Sequence, residues 1–208
     1  MNKYITLFIG VSVVISLVYI AGYKKNIKIM KKMAETLEET FQPKDKLYTY
    51  LGGVLGFIAE YQVDGFEKIS VTLRLIPRQS ALYLPFMFVT SGKDSLQIMF
   101  YTKKPVVSEF HLIKESFLKM TKPKIYNRTK LKSERIEIEG TKYEMLTENS
   151  KYKKFIEFIP IFNKRQFNHL AMTKEKSIVY INLLFYKTDY EELKNSLKKA
   201  ANFIKSAV

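Results

Sequence analysis

Side chains that carry out covalent chemistry or bind metal ions are scarce in this chain. Its 208 residues include no cysteine and two histidines, His111 and His169. The lack of cysteine excludes disulfides, thiolate metal sites and thiol nucleophiles. Neither histidine belongs to an H-x-x-x-H metal motif, and no serine lies in a G-x-S-x-G elbow. We therefore interpret both histidines as ordinary structural or surface residues, and we expect no catalytic residue, metal or cofactor.

The acidic residues do not indicate a catalytic site either, because they are scattered among lysines and not paired as a general acid and a general base. The glycines of "LGGVLG" (51–56) match neither a dinucleotide fingerprint nor a phosphate loop, and they are typical of a loop that enters a strand. The sequence thus predicts a protein that is not an enzyme. A membrane enzyme is the alternative if folding assembles a deep pocket of polar groups with shifted pKa values.

Positive charge is the strongest chemical signal. Lys and Arg number 35 against 20 Asp and Glu, which gives a net charge of +15. Such a charge favours polyanionic partners: nucleic acid, a ribosome surface or anionic lipid. One segment concentrates the cations that we expect to face phosphate groups: Lys119, Lys122, Lys124, Arg128, Lys130 and Lys132. A solvated loop in a lysine-rich protein is the alternative interpretation of this segment.

Residues 5–22 form an uncharged apolar run, "ITLFIGVSVVISLVYIAG". At about 1.5 Å per residue, this run is just long enough to cross a bilayer core as a helix. A cleaved signal peptide is disfavoured, because Tyr19 and Ile20 lie where a cleavage site requires small side chains. Lysines crowd the sequence after the run, whereas Lys3 alone precedes it. The positive-inside rule therefore places residues 1–4 outside the cytosol, or in a lumen, and the rest of the chain in the cytosol.

The helix is predicted to continue through residues 23–42, with a basic first half and an acidic second half. Apolar residues at helical spacing, among them Ile27, Met30 and Leu37, form a stripe along it. We expect this stripe to dock membrane partners, and we expect Pro43 to end the helix.

The remainder, residues 43–208, is predicted to be one cytosolic domain. Alternation in "KISVTLRLI" (68–76) and in "SLQIMFYTK" (95–103) predicts two strands. Between them, "RQSALYLPFMFV" (78–89) is typical of a short apolar helix that is buried in the core or, alternatively, lies in a membrane surface.

Three further elements complete the fold prediction. "SERIEIEGTKYEMLTE" (133–148) is typical of a hairpin with Gly140 in its turn, and "SIVYINLLFY" (177–186) of a central strand. Thr188 and Glu191 form a capping box that begins an amphipathic C-terminal helix. The predicted fold class is α+β: a single transmembrane helix, then one domain with a mainly antiparallel sheet and a C-terminal helix.

The order of these pieces resembles the calumin family, coiled-coil-domain-containing proteins of the endoplasmic reticulum found in the PAT complex beside the Sec translocon. The resemblance lies in the span that ends "YIAGYKKN", in "LRLIPRQ" (73–79), in "LQI" (96–98), and in "VYINLLFY" followed by "DYEELKNSLKKAANFI". It covers the span and most of the domain, and it is weak between positions 105 and 175.

The resemblance implies a non-enzymatic accessory factor for the insertion of multipass membrane proteins, in the endoplasmic reticulum or in an archaeal plasma membrane. The implied partners are the Sec translocon, the ribosome with its rRNA, a small Asterix-like membrane protein and an Oxa-type insertase. Arg74 and Arg78 match the family, and we expect them to be structural, paired with acidic groups. The acidic lumenal region and basic coiled coil of the family have no counterpart in these residues, so we expect a minimal, archaeal-type homologue.

A membrane-anchored lipid- or partner-binding module without a role in translocation is the alternative function. It would insert the segment 80–89, with Phe86 and Phe88, into the membrane surface. Its basic side chains would bind anionic lipid.

Overall fold

The structure is a computed structural model, and it describes residues 2–83, 86, 93–121, 123–125, 128–148, 156, 160–185 and 189–207. The elements in chain order are α1 (Lys3–Phe41), β1 (Asp45–Tyr50), β2 (Gly56–Gln62), β3 (Phe66–Arg74), β4 (Asp94–Thr102), β5 (Phe110–Lys114), α2 (Glu115–Thr121), β6 (Lys132–Ile138), β7 (Thr141–Thr147), β8 (Phe167–Thr173), β9 (Ile178–Phe185) and α3 (Tyr190–Ala207). A short 3₁₀ turn, Arg128–Lys130, precedes β6.

Helix α1 is unbroken over 39 residues and joins the two helical segments predicted from the sequence. The side chain of Asn2 caps its first turn by accepting a hydrogen bond from the Tyr4 N–H at 3.2 Å. At its C-terminal end, Gln42 adopts left-handed backbone with φ of 45°, and Pro43 cannot continue the helix. Of the helices that the structure describes, α1 is the one long and apolar enough to cross a membrane.

The nine described strands form one antiparallel sheet in the order β1-β2-β3-β4-β9-β8-β5-β7-β6. Strand β9 pairs with β4 on one side and β8 on the other, which confirms the predicted central strand. The β6–β7 hairpin is also confirmed. Its turn residues Glu139 and Gly140 have φ of 48° and 73°, as a two-residue hairpin turn requires.

Strand register gives the sheet two faces of different character, because successive side chains point to opposite sides. One row of cross-strand partners is entirely apolar and buried: Ala59, Val71, Ile98, Ile181, Leu170, Leu112 and Met145. We call the side that carries this row the core face. The neighbouring row points to the other side, the polar face: Thr72, Gln97, Asn182, His169 and Ile113.

Helices α1 and α3 cover the core face. Met33 and Leu37 of α1 and Leu197 of α3 are fully buried in the same apolar cluster as the core-face strands. An ion pair between Lys194 and Glu39, 2.9 Å long, joins the two helices at the surface.

The apolar stripe on α1 has a different role from the one expected. Met30 and Leu37 lie inside the core and Ile27 packs at its edge, so the stripe contacts the chain's own sheet and does not offer a docking surface to membrane partners. The physical reason is that the core face is an apolar sheet surface that needs a helix over it.

Two local predictions differ from the structure. Residues 78–83 form turns, where a helix over 78–89 was predicted. Phe86 is helical, and the other residues of that segment lie outside the described residues. At the start of α3, Asp189 is the capping residue, and its carboxylate accepts from the N–H groups of Glu191 and Glu192 at 2.9 and 3.4 Å. Thr188, the predicted cap, also lies outside the described residues.

Candidate functional site

A buried polar cluster, Asn26, Arg78 and Asp94, holds α1 against the sheet; we call it the anchor-side cluster. Asn26 is 0% exposed. Its amide nitrogen donates to the backbone carbonyls of Val54 and Ile76 at 3.0 and 2.9 Å, and its amide oxygen accepts from Arg78 at 2.9 Å. Asparagine is unfavourable inside a helix, and here its full set of tertiary partners explains its presence.

Arg78 and Asp94 form a two-pronged ion pair, with nitrogen–oxygen distances of 3.0 and 2.5 Å. Asp94 also accepts from the Ile76 N–H at 2.9 Å. Asp94 is thus the acidic partner expected for Arg78. Arg74, by contrast, is exposed and forms no ion pair with the described part of the chain.

Gly22 brings the loop after β3 into direct contact with α1. A Cβ at this position would overlap the backbone carbonyl of Arg78. Since the apolar run 5–22 ends at Gly22, the anchor-side cluster lies at the end of the domain nearest the apolar part of α1.

A groove with a cavity volume of about 1420 Å³ occupies the polar face. Four strands supply polar side chains to its floor: Ser95, Gln97, His111, Asn168, His169, Tyr180 and Asn182. These residues come from distant parts of the sequence, and antiparallel pairing places them side by side. An enzyme would require a pocket of polar groups with shifted pKa values, and this groove contains polar groups from four strands.

The two histidines, 58 positions apart in sequence, are neighbours in this floor. Nδ1 of His111 lies 3.4 Å from Nε2 of His169, and their rings stack at 5.6 Å between centroids. Burial lowers the pKa of His111 to about 4. Burial also lowers the pKa of His169 to about 3, with a further contribution from charge on His111. Both imidazoles are therefore neutral at pH 7, and one N–H donor and one lone-pair acceptor of the pair are left for other partners.

A chain of hydrogen bonds continues the floor beside the histidines. The side chain of Asn168 donates to that of Asn182 at 3.0 Å, and Asn182 donates to the hydroxyl of Tyr180 at 3.1 Å. Burial raises the pKa of Tyr180, so its hydroxyl keeps its proton. Because this hydroxyl accepts from Asn182, its own proton can be donated to a ligand or to water in the groove.

Cations form the rim of the groove: Arg78, Lys93, Lys114, Lys124 and Arg165. The carboxylates among the described lining residues are Asp94, which Arg78 binds, and Glu192. Lys114 donates to the backbone carbonyl of Lys164 at 2.8 Å. Burial lowers the pKa of Lys114, and the charge of Lys93 lowers it further. The groove thus combines a neutral, hydrogen-bonding floor with a positively charged rim.

Two cations of the predicted phosphate-facing segment form ion pairs within the protein. Lys119 pairs with Glu115 one turn earlier on α2, at 3.4 Å. Arg128 binds both carboxylate oxygens of Glu144 at 2.8 and 3.1 Å.

Its remaining cations are spread over different surroundings. Lys124 lines the groove rim, whereas Lys130 and Lys132 are exposed beside the edge strand β6. Lys122 lies outside the described residues.

Exposed apolar side chains follow Arg78 in the segment after β3. Leu82 is 82% exposed, and Tyr83 and Phe86 are also exposed. Tyr50, at the end of β1, is exposed beside the turn whose Val54 carbonyl binds Asn26. These side chains lie at the same end of the domain as Gly22.

The groove offers a ligand neutral hydrogen-bonding groups on its floor and positive charge at its rim. Among the described residues, no group of three or more His, Cys, Asp or Glu side chains could hold a metal ion. The fold defines a class of protein: an α+β domain whose first helix is long and apolar enough to cross a membrane.

No protein-family model matches this chain, and no curated protein matches it. The resemblance to calumin therefore rests on the motifs quoted above. One of them, "LRLIPRQ", contains Arg78 of the anchor-side cluster.

Sequence reasoning did not find Asn26, Asp94 or the polar floor. The sequence of α1 does contain a signal for Asn26. Gly22, Asn26 and Met30 share one helix face at spacings of four, and a polar residue such as Asn26 on a buried face needs a hydrogen-bond partner. For the floor, the signal was the alternation of Tyr180 and Asn182 with apolar residues along β9.

Proposed function

We propose that this protein is a single-span membrane protein whose cytosolic domain serves as a non-enzymatic accessory factor for the insertion of multipass membrane proteins. The observation that carries this proposal is the continuity of α1. Its apolar residues 5–21, exposed except for the half-buried Val18, lead without a break into residues that are buried in the domain core. Such a helix holds the domain at a fixed distance from the bilayer, where a nascent membrane protein emerges.

The orientation follows from charge. Lysines of α1 that follow Gly22, such as Lys24 and Lys25, are exposed and lie where anionic headgroups would surround the helix. We place the N-terminus outside the cytosol and the sheet inside.

The partners in this proposal come from the calumin resemblance: the Sec translocon, the ribosome, a small Asterix-like membrane protein and an Oxa-type insertase. The exposed Lys130 and Lys132 beside edge strand β6 are the cations of the basic segment that we assign to rRNA, because neither has an ion-pair partner among the described residues.

The test is purification of the full chain from its own membranes in mild detergent, with identification of co-purifying proteins. We expect ribosomal proteins, Sec subunits and a small multispan protein. The variant Lys130→Glu/Lys132→Glu should lower the affinity for ribosomes by about thirtyfold or more, since each of the two cations contributes on the order of 1 kcal/mol near a polyanionic surface.

The matched control is Lys198→Glu/Lys199→Glu, which makes the same change of charge on exposed positions of α3. If both double variants lower ribosome recovery equally, the contact is not located at Lys130 and Lys132. Recovery of the protein with lipid alone, without ribosome or Sec subunits, would contradict the insertion role.

A second function, docking to the membrane surface as a lipid-binding module, is favoured by one observation. Leu82, Tyr83 and Phe86 are exposed apolar side chains beside the point where α1 leaves its apolar run. We propose that they lie in the bilayer interface, where aromatic and aliphatic side chains are stable.

The lack of native cysteine allows a direct test of this docking. A polarity-sensitive dye is attached to Leu82→Cys or, as the control, to Val107→Cys in full-length protein in lipid nanodiscs. Leu82 and Val107 are both exposed aliphatic residues, at 82% and 73%. Val107 lies in the loop between β4 and β5, at the end of β4 that is far from the anchor-side cluster. We expect lipid-borne quenchers to reduce fluorescence at position 82 and not at position 107; equal quenching at both would refute the docking.

A further inference from the structure

We infer that the groove on the polar face is a binding site for the headgroup of an anionic phospholipid with a polyol headgroup, taken from the leaflet that the domain faces. The inference rests on the proposed membrane placement of α1. It does not depend on the role in protein insertion.

The position of the groove favours a lipid over a soluble ligand. Arg78 belongs both to the groove rim and to the loop in contact with Gly22, where the apolar run of α1 ends. Asp94 at the start of β4 pairs with Phe185 at the end of β9, and both line the groove. One end of the groove therefore lies at the end of the domain that faces the bilayer. The headgroup zone there is roughly 5–8 Å thick, the difference between the full bilayer and its hydrocarbon core on each side.

The charge of the rim matches a phosphodiester. Lys93, Lys114 and Arg165 supply positive charge at the entrance, and among the described lining residues Glu192 is the single carboxylate that no arginine binds. A zwitterionic choline headgroup brings its own fixed cation, which this rim repels. A phosphate with an uncharged substituent avoids that repulsion.

The floor matches the hydroxyl groups of a polyol. Tyr180 has a proton to donate, the histidine pair presents one donor and one acceptor, and Gln97 adds an amide. Each of these groups is neutral at pH 7, so they favour hydroxyl groups without competing for the phosphate charge. A phosphatidylglycerol headgroup has this combination of one phosphodiester and two hydroxyls.

Since the chain has two histidines and both lie in the groove floor, their imidazole signals form an intrinsic probe of the site. Full-length protein with ¹⁵N-labelled histidine is prepared in uncharged detergent and titrated with short-chain phosphatidylglycerol, below the concentration at which that lipid forms micelles. We expect saturable shifts of the imidazole resonances. Short-chain phosphatidylcholine at the same concentrations should give none.

Variants locate the site. Lys114→Gln/Arg165→Gln should weaken phosphatidylglycerol binding by about tenfold or more, because a charge-assisted contact is lost at each position. Lys198→Gln/Lys199→Gln makes the same change in net charge on α3, across the sheet, and should leave binding unchanged. Arg165→Gln alone alters one exposed side chain, so it keeps the test informative if the double variant does not fold. Tyr180→Phe removes a single hydroxyl and should weaken binding by a smaller factor.

Three results would overturn the inference: no shift with phosphatidylglycerol, equal shifts with phosphatidylcholine, or equal affinity for inorganic phosphate alone. The last result would make the groove a site for free phosphate. Because the titration needs no bilayer, it is independent of the dye experiment at position 82. Failure of lipid binding together with quenching at position 82 would reject the groove assignment and leave the membrane placement standing.

Discussion

The core face and the polar face belong to the same nine strands, yet the chain covers them in different ways. On the core face, Ile98 and Ile181 pack beneath α1 and α3 in a continuous apolar cluster. Their neighbours along the same strands, Gln97 and Asn182, point to the other side and face the groove. A helix over an apolar sheet face is the usual way to build a domain.

The buried polar side chains of the polar face are not explained by the packing of helices on a sheet. Asn168 and Asn182 are almost fully buried, and each needs a hydrogen-bond partner to offset the loss of water. Apolar residues at these positions would make a simpler core. Their presence is the reason to assign function to the polar face and stability to the core face.

The largest effect should come from the anchor-side cluster, which joins α1 to the loop after β3 and to the start of β4. Arg78→Ala leaves Asp94 buried without its cation and Asn26 without one partner, and we expect a loss of about 3–5 kcal/mol in the free energy of unfolding. Urea unfolding of the full chain in mild detergent, followed by circular dichroism, measures it.

The double variant Arg78→Ala/Asp94→Ala should be more stable than Arg78→Ala, since no buried charge is left unpaired. A single-variant loss below about 1 kcal/mol would show that water reaches Asp94 and that the cluster does not hold α1 in place.

The next largest loss of stability should distinguish two adjacent residues of β4, one on each face of the sheet. Ile98→Ala opens a cavity in the core, and we expect it to cost about 2–4 kcal/mol. Gln97→Ala removes a side chain that lines the groove and should change stability by about 0.5 kcal/mol or less. The same unfolding assay measures both. Equal losses would mean that the two faces are equally packed and that the groove is filled.

Acid should destabilise the protein through the polar face. The pKa values of His111 and His169 are about 4 and about 3 in the folded chain, below the ordinary value near 6.5 that applies after unfolding. The unfolded chain therefore binds more protons as the pH falls below about 6.5, and stability decreases. For the two histidines together we expect a loss of about 2 kcal/mol between pH 7 and pH 5.5.

Unfolding free energies across this pH range test the prediction, with His111→Asn/His169→Asn as the reference. The double variant should lose most of the pH dependence. It retains Glu109, whose pKa is raised by burial and whose titration acts in the opposite direction. An unchanged pH slope would show that the histidines are accessible to water in the folded chain.

Of the two arginine–carboxylate pairs compared, the pair of Arg128 and Glu144 should have the smaller effect. A single nitrogen of Arg128 donates to both oxygens of Glu144, whereas Arg78 uses two nitrogens for Asp94. The side chains of Arg128 and Glu144 are also more exposed, at 47% and 13% against 16% and 4%. Arg128→Gln should cost less than about 1 kcal/mol, and added salt should reduce that further. A loss as large as that of Arg78→Ala would mean that burial does not distinguish the two pairs.

The sequence by itself determined the features that depend on local pattern. An uncharged run of sufficient length predicted a helix that is long and apolar enough to cross a membrane, and Pro43 marked its end. Alternation located β3, β4 and the β6–β7 hairpin. In each case neighbours along the chain contain the whole physical signal: the helix period, the strand period, or the turn conformation at Gly140.

The tertiary structure decided which surfaces meet. Periodicity showed that α1 has an apolar stripe, but the sheet that covers Met30 and Leu37 is built from strands far along the chain, so the stripe looked available to partners. In the same way, His111 and His169 gave no motif, because the register of β5 and β8, and not their spacing in sequence, brings their rings together. Strand pairing is set by the burial of the whole core face, a long-range free energy that no single segment contains.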